Sequence, residues 1–502
     1  MRKILRSNYI FDGENTPFKG YIAFKDETIE EIEKNWSYQH LLDDQTILLE
    51  YDEYFIMPGL HDNHVFFSGY LSMQAGIDLT ETSSELEALQ KIEAKLDQTK
   101  DVPVYAYGWS PQTWGTLPTQ ESLDQLHYQG PITAIAEDRS YCWMNQQAKQ
   151  RYGFNEKETS AESRFRLIKE MLANEELLQT VYQKFEQQLL SRGVVSIKEI
   201  VFDDAEFLKT IKRRKLATHF YIQSVEQPIS TALVEHYRAE EFPAKVTFGG
   251  VKIMVDGVVA DETGDITGEY ASGKKGPEIN YQTIANEVEK WNQKGVPCCL
   301  TTEGDKAGLE AAKILNRFGK RLPEGAFNSI SDLEMITHEM TKEMAEGKIA
   351  AEIYPQILGL NPSYQEAYMP EIIAGEEKAF FNYQLLRSAD IQLTSGTDLP
   401  LFITNLPESI IRACFRRFPA GQETWQHENG LSVLELLQSF TKNGFLVNRK
   451  DCYGVLQPGK SATFAIFDRD LTQEDYEEVA AAETIMTYLD GSVVYEKVSP
   501  WL

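Results

Sequence analysis

Between Phe55 and Ser395, short apolar runs alternate with longer stretches whose apolar positions recur at helical spacing. The runs Phe55–Leu60, Val194–Ile200, His219–Val225, Val246–Val255, Val296–Thr302, Ser329–Met335, Ile349–Tyr354 and Ile391–Ser395 predict strands buried on both faces. The stretches Phe165–Leu190, Asp203–Lys215, Tyr281–Lys294, Lys306–Phe318, Thr337–Glu346 and Glu376–Arg387 predict helices with one apolar side. Doubly buried strands separated by amphipathic helices predict a parallel sheet. About eight such units in this length favour an α/β fold of the closed (β/α)8 TIM-barrel type, over residues 58–449.

Both ends of the chain depart from that rhythm. Residues 1–57 hold short β-like runs (Lys3–Leu5, Tyr21–Phe24, Thr28–Ile32, Ile47–Glu50). Residues 450–502 hold another at Ala462–Phe467 and a hairpin pattern around Asp490-Gly491. Together they predict a small composite β-sandwich built from both termini. Residues 70–160 interrupt the alternation with aromatic clusters that include Trp109, Trp114 and Trp143, and predict a cap inserted after the first barrel strand.

Composition narrows the partners. At 502 residues, two or more domains are expected. A formal net charge of −28 argues against nucleic acid and anionic membrane surfaces. No apolar run reaches the ~18 residues of a membrane span, and the basic start Met1-Arg2-Lys3 lacks the apolar stretch of a signal peptide. Five cysteines without a CxxC pair fit free thiols. The expectation is a cytoplasmic protein acting on a small molecule, with a homodimer left open.

In a barrel of this kind, chemistry gathers at the carboxyl ends of the strands. The segment Pro58-Gly59-Leu60-His61-Asp62-Asn63-His64-Val65-Phe66 looks like a metal-site strand with Phe66 where another ligand would be in phase. His61 reads either as a core histidine or as a pocket residue. Asp398, in Gly396-Thr397-Asp398-Leu399-Pro400, suits a general base or metal ligand, or else an Asx-turn before Pro400. Lys252, in Gly250-Val251-Lys252, must snorkel to water or pair with an anion, Asp256 or Asp398. After Thr301, Glu303 is a pocket candidate, whereas Asp305 reads as a helix N-cap. Ser331 and Tyr354 end two further strands, and Trp109 or Trp143 is expected to reach the pocket from the cap. His338, next to a predicted Thr337 N-cap, is assigned to a solvated first turn.

These segments together resemble the amidohydrolase superfamily, in particular the branch of amidohydrolase family 3 that includes N-substituted formamide deformylase-like proteins. The resemblance rests on Pro58 to Phe66, on Gly250-Val251-Lys252-Ile253-Met254-Val255-Asp256-Gly257, and on Thr301 to Ala307. It extends to Gly396 to Pro400 and to the closing Gly454 to Ala462. It implies a hydrolase of non-peptide C–N bonds, amide or cyclic amide, with zinc or another divalent metal held by His, Asp and a carboxylated Lys. By this resemblance His64, Asp398 and Lys252 are the surviving ligand positions. Four family histidines align with Phe66, Thr301, Ser331 and Ser140. A catalytic zinc usually needs three protein ligands. The expectation is therefore a degenerate metal site with no tightly bound cofactor. The alternative to hydrolysis is a metal-free descendant that binds a small molecule or does acid–base chemistry with Asp398, Lys252 and Glu303.

Overall fold

The computed structural model describes residues 1–97, 101–137, 141–154, 161–202, 204–224, 228–359, 379–417 and 424–497. Two compact units divide the chain. One is Met1–Val65 with Gln187–Asp203 and Lys215–Leu502; the other is Phe66–Glu186 with Asp204–Arg214.

The first unit contains an eight-stranded parallel sheet. Its strands are β1 (Leu60–Val65), β2 (Val194–Phe202), β3 (Ala217–Gln223), β4 (Val246–Met254), β5 (Cys298–Thr302), β6 (Ser329–Asp332), β7 (Ala350–Ile353) and β8 (Leu393–Ser395). They pair in sequence order. A parallel bridge from Val65 to Leu399, just past β8, brings the two edges together into a nearly closed barrel. Every residue of β1, β3, β5, β7 and β8 is buried, as strands covered on both faces require. Seven of the eight predicted runs overlap a barrel strand over most of its length, because strands covered on both faces read as continuous apolar runs.

The first boundary is corrected. The run Phe55–Leu60 is two elements: Phe55–Pro58 joins the terminal sheet, and β1 begins at Leu60. Gly59 is the crossing point. A Cβ there would lie 2.8 Å from Val195 Cγ2 and 2.9 Å from Thr463 Cγ2, so only glycine passes between β2 and the terminal sheet. Of the predicted helices, Thr337 caps His338–Gly347 as expected, its side chain accepting from the Met340 amide. Phe165–Leu190 is instead two helices, Ala161–Ala173 and Glu175–Leu190, and Asp203–Lys215 shortens to Phe207–Thr210. Val225 and Glu376, predicted element ends, and Ser140 lie outside the described residues.

Strands from both termini share one sheet. Phe464–Phe467 lies antiparallel to Phe55–Pro58, which also pairs with Arg2–Ile10. The pairing links eight strands, seven along one path and Ile47–Glu50 branching from Arg2–Ile10. It packs Leu5, Ile22, Phe24, Ile56, Phe464, Ile466 and Tyr488 into one apolar cluster. This sheet belongs to the same compact unit as the barrel. The second unit extends beyond the expected insertion and carries a four-stranded sheet: Ile77–Asp78, Val104–Trp109, Ile132–Ala136 and Cys142–Met144. Among the described residues no helix is long and apolar enough to cross a membrane.

Candidate active site at the barrel mouth

His64 lies near the end of β1 and is almost fully buried. Its Nε2 is 3.2 Å from Lys252 Nζ on β4, and its Nδ1 is 2.6 Å from Tyr354 Oη, one residue past β7. Lys252 also donates to Ser331 Oγ on β6 at 3.0 Å. The Ser331 hydroxyl donates to Asp332 Oδ2 at 3.0 Å, which leaves Thr301 Oγ1 on β5, 3.1 Å away, as a donor to Ser331. One chain of hydrogen bonds thus joins four strands and the residue just past a fifth: Thr301, Ser331, Lys252, His64, Tyr354. Asp398 Oδ1 stands 3.7 Å from His64 Nε2, and its side chain keeps 30% of its exposure. Asp398 occupies the left-handed region at φ 53°.

The close approach of β8 to β1 has a simple cause. A Cβ on Gly396 would sit 2.7 Å from the His64 amide nitrogen. Asp62 then ties the segment down. Its buried carboxylate accepts from Thr397 N at 3.1 Å and Thr397 Oγ1 at 2.6 Å, from the Thr404 hydroxyl, and from His64 N at 3.1 Å. Asp62 therefore holds the turn that carries Asp398.

Below this chain lies a buried ion pair that was not anticipated. Lys198 of β2 contacts Glu352 of β7, with side chains 1% and 0% exposed. β2 and β7 are not neighbours in the sheet, so the pair crosses the barrel interior. The Lys198 ammonium also lies 4.1 Å from the Tyr221 ring centroid. Glu352 Oε2 is 3.7 Å from His64 Nδ1. Burial works against charge on Glu352, yet Lys198 and His64 together hold its carboxyl well below the usual range. Burial likewise opposes the charge on Lys198, and its surroundings, Cys299 and Glu352 foremost, outweigh that and raise it. His64 is pushed down to about 3, first by burial and then by the Lys252 charge, so it is a neutral imidazole. The signal for Glu352 was present, since it is a lone charge within a predicted apolar strand, the argument that singled out Lys252; Lys198 was masked by the adjacent Glu199.

Several expected members lie elsewhere. His61 sits at the amino end of β1 because that strand starts at Leu60. It bonds Ser196 Oγ at 2.9 Å and Asn448 Nδ2 at 2.9 Å, and its ring is 5.4 Å from Phe445 of α2 (Lys442–Val447; α1 is Asp305–Gly319). It is a core histidine, pushed down to about 3 by burial. Glu303 accepts from Val259 N at 2.8 Å and is outside the hydrogen-bonded chain; burial and the neighbouring Glu334 and Asp332 push its carboxyl far up. Asp256 is no partner for Lys252. Its carboxylate accepts from Glu303 N, Gly304 N and Asp265 N at 2.9–3.0 Å, organising the loop before α1, and burial raises it to about 6. Lys252 also does not pair with Asp398. The carboxylate nearest its ammonium is Asp332, at 3.9 Å. Gly304, not Asp305, is the N-cap of α1. Trp109 and Trp143 pack in the second unit's own core. Trp109 is stacked 4.9 Å from Trp114 and donates to Ala134 O at 3.0 Å; Trp143 donates to Thr119 O at 2.6 Å.

The metal centre implied by the resemblance does not fit these side chains. Phe66 has no donor, Thr301 and Ser331 are neutral hydroxyls bonded to each other, and the His64 Nε2 lone pair faces Lys252. Among the described residues no three His, Cys, Asp or Glu side chains converge to hold an ion.

Comparison with known proteins gives a consistent picture. The sequence signature described as "Amidohydrolase family" matches residues 54–495. "Putative amidohydrolase YtcJ" of Bacillus subtilis (strain 168) is 22% identical over 485 residues, covering 88% of this chain and 89% of its own. "Protein LONG AFTER FAR-RED 3" of Arabidopsis thaliana is 21% identical, covering 98% and 91%. The crystal structure of an uncharacterized metal-dependent hydrolase from Pyrococcus horikoshii OT3 shares the fold, with a TM-score of 0.77 at 16% identity, over 95% of this chain and 99% of that one.

Proposed function

The chain belongs to the amidohydrolase family, and we propose that it hydrolyses a non-peptide C–N bond, an amide or cyclic amide, of a small molecule bound at the barrel mouth. The observation that carries this reading is the single hydrogen-bonded chain from Thr301 to Tyr354, with the partly exposed Asp398 beside its His64 member. Asp398 is the general base, taking a proton from the attacking water at Oδ1. Lys252 supplies positive charge to the oxyanion that forms as the water adds to the carbonyl carbon, and the proton held on Asp398 goes to the nitrogen as the oxyanion collapses and the C–N bond breaks. Thr301 and Ser331 hold the Lys252 ammonium in place. His64, neutral and bonded through both nitrogens, orients Lys252 and Tyr354 and carries no proton between them. Glu303, its carboxyl pushed up, fits a proton donor better than a base.

The test is turnover of a panel of N-acyl amines and cyclic amides, run beside Asp398→Asn. Removing a general base should lower the rate by roughly 10²–10⁴-fold. Turnover that survives both Asp398→Asn and Lys252→Met would refute the assignment. A second reading, binding without turnover, is favoured by the burial of His64 at 1% and Lys252 at 2% exposure. It predicts a saturable rise in melting temperature with a panel compound and no product.

A further inference from the structure

The positive charge that a divalent ion would bring to this barrel is already present in two lysines. Lys252 directs its ammonium at His64 Nε2, 3.2 Å away. An ammonium has hydrogens and no lone pair, so Nε2 accepts, and the neutral ring carries its proton on Nδ1. That proton faces Tyr354 Oη at 2.6 Å and Glu352 Oε2 at 3.7 Å. Glu352 is in turn neutralised by Lys198. With a proton on one nitrogen and a cation on the other, His64 has no lone pair to offer. The positions at 66, 301 and 331 add no anionic or imidazole ligand. Asp398 is then the one remaining donor of the expected set.

We propose that the site is metal-independent, with Lys252, uncarboxylated, and Lys198 as its fixed cations. A carbamate on Lys252 would bring negative charge to within about 4 Å of Asp332. It would also remove the donor that both His64 and Ser331 accept from. One resident ammonium, Lys252, is therefore bonded directly to His64, and Lys198 acts on His64 only through Glu352, whose charge it balances. Only the catalytic use of this charge rests on the hydrolase reading; the charge arrangement needs no substrate.

Full-length protein purified without chelator tests this directly. Elemental analysis should find under about 0.1 ion of zinc, manganese, iron, cobalt or nickel per chain. Carbon-13 spectra after equilibration with labelled bicarbonate should show no lysine carbamate. Melting temperature should not move with added zinc or with chelator, since an ion held only by the native state would raise it. About one ion or more per chain, removed by chelator with a fall in melting temperature, overturns the proposal. A carbamate signal lost in Lys252→Arg does the same. A failure of turnover would count against the hydrolase reading and leave the ion count as it stands.

Discussion

The barrel interior holds two lysines in different circumstances. Lys198 has a carboxylate in direct contact, an aromatic face 4.1 Å away, and 1% exposure. Lys252 is nearly as buried, yet its close partners are a neutral histidine and a serine, and its nearest carboxylate is 3.9 Å away. The first arrangement satisfies charge with charge. The second holds its charge with a longer ion pair, on the same His64 Nε2 that faces Asp398, the most exposed group of the set. Charge held by a longer pair can act on a ligand, whereas a closed pair mainly specifies the fold.

Breaking the closed pair should have the largest effect on stability. Lys198→Met leaves Glu352 buried without its cation and should cost about 3–5 kcal/mol in denaturant unfolding. The double variant Lys198→Met with Glu352→Leu should recover most of that. If the single variant costs under about 1 kcal/mol, the two lysines are not different in kind. Lys252→Ala breaks two hydrogen bonds and only the long 3.9 Å ion pair with Asp332, so about 1–3 kcal/mol is expected, together with loss of turnover. A cost as large as that of Lys198→Met would erase the distinction.

The third prediction uses a buried imidazole outside both regions. His61 has a native pKa of about 3 against 6.5 when unfolded. The native state refuses a proton that the unfolded chain accepts. Stability is therefore complete above about pH 6.5 and falls as pH drops toward 3, by about 1.4 kcal/mol per pH unit for this group. Unfolding free energies at pH 7, 6 and 5 should fall less steeply in His61→Asn than in the parent. Equal slopes would show that His61 is not the titrating group. The smallest stability change belongs to Asp398→Asn, within about 0.5 kcal/mol because the side chain is partly solvated, even though turnover falls. A large destabilisation would turn Asp398 into a structural turn residue.

Much of the barrel was legible because its strands are buried on both faces and so leave unbroken apolar runs. The mouth residues His64, Lys252, Thr301, Ser331, Tyr354 and Asp398 were legible by position, since each lies in the last turn or last residues of its strand region. What failed was local. Pro58-Gly59 looks like a strand end, yet the chain runs straight through it into a new sheet, and this moved His61 from the carboxyl end of a strand to the amino end of β1. Apolar aromatics such as Trp109 and Trp143 read the same in a pocket lining as in a core; only the indole N–H bonds to Ala134 and Thr119 separate the two. Pairing across the barrel is invisible to any pattern along the chain. Lys198 and Glu352 are far apart in sequence, and only closure of the sheet brings them together.

The shared terminal sheet also sets a schedule. Phe55–Pro58 has one edge on Arg2–Ile10 and the other on Phe464–Phe467. On the ribosome the second edge must wait for roughly 400 further residues, about 20 to 80 seconds at ordinary rates of synthesis. Throughout that interval an apolar strand edge beside the entrance to β1 stands open to any passing strand. A segment made roughly 400 residues later therefore completes the pairing of the strand from which the barrel's first strand departs.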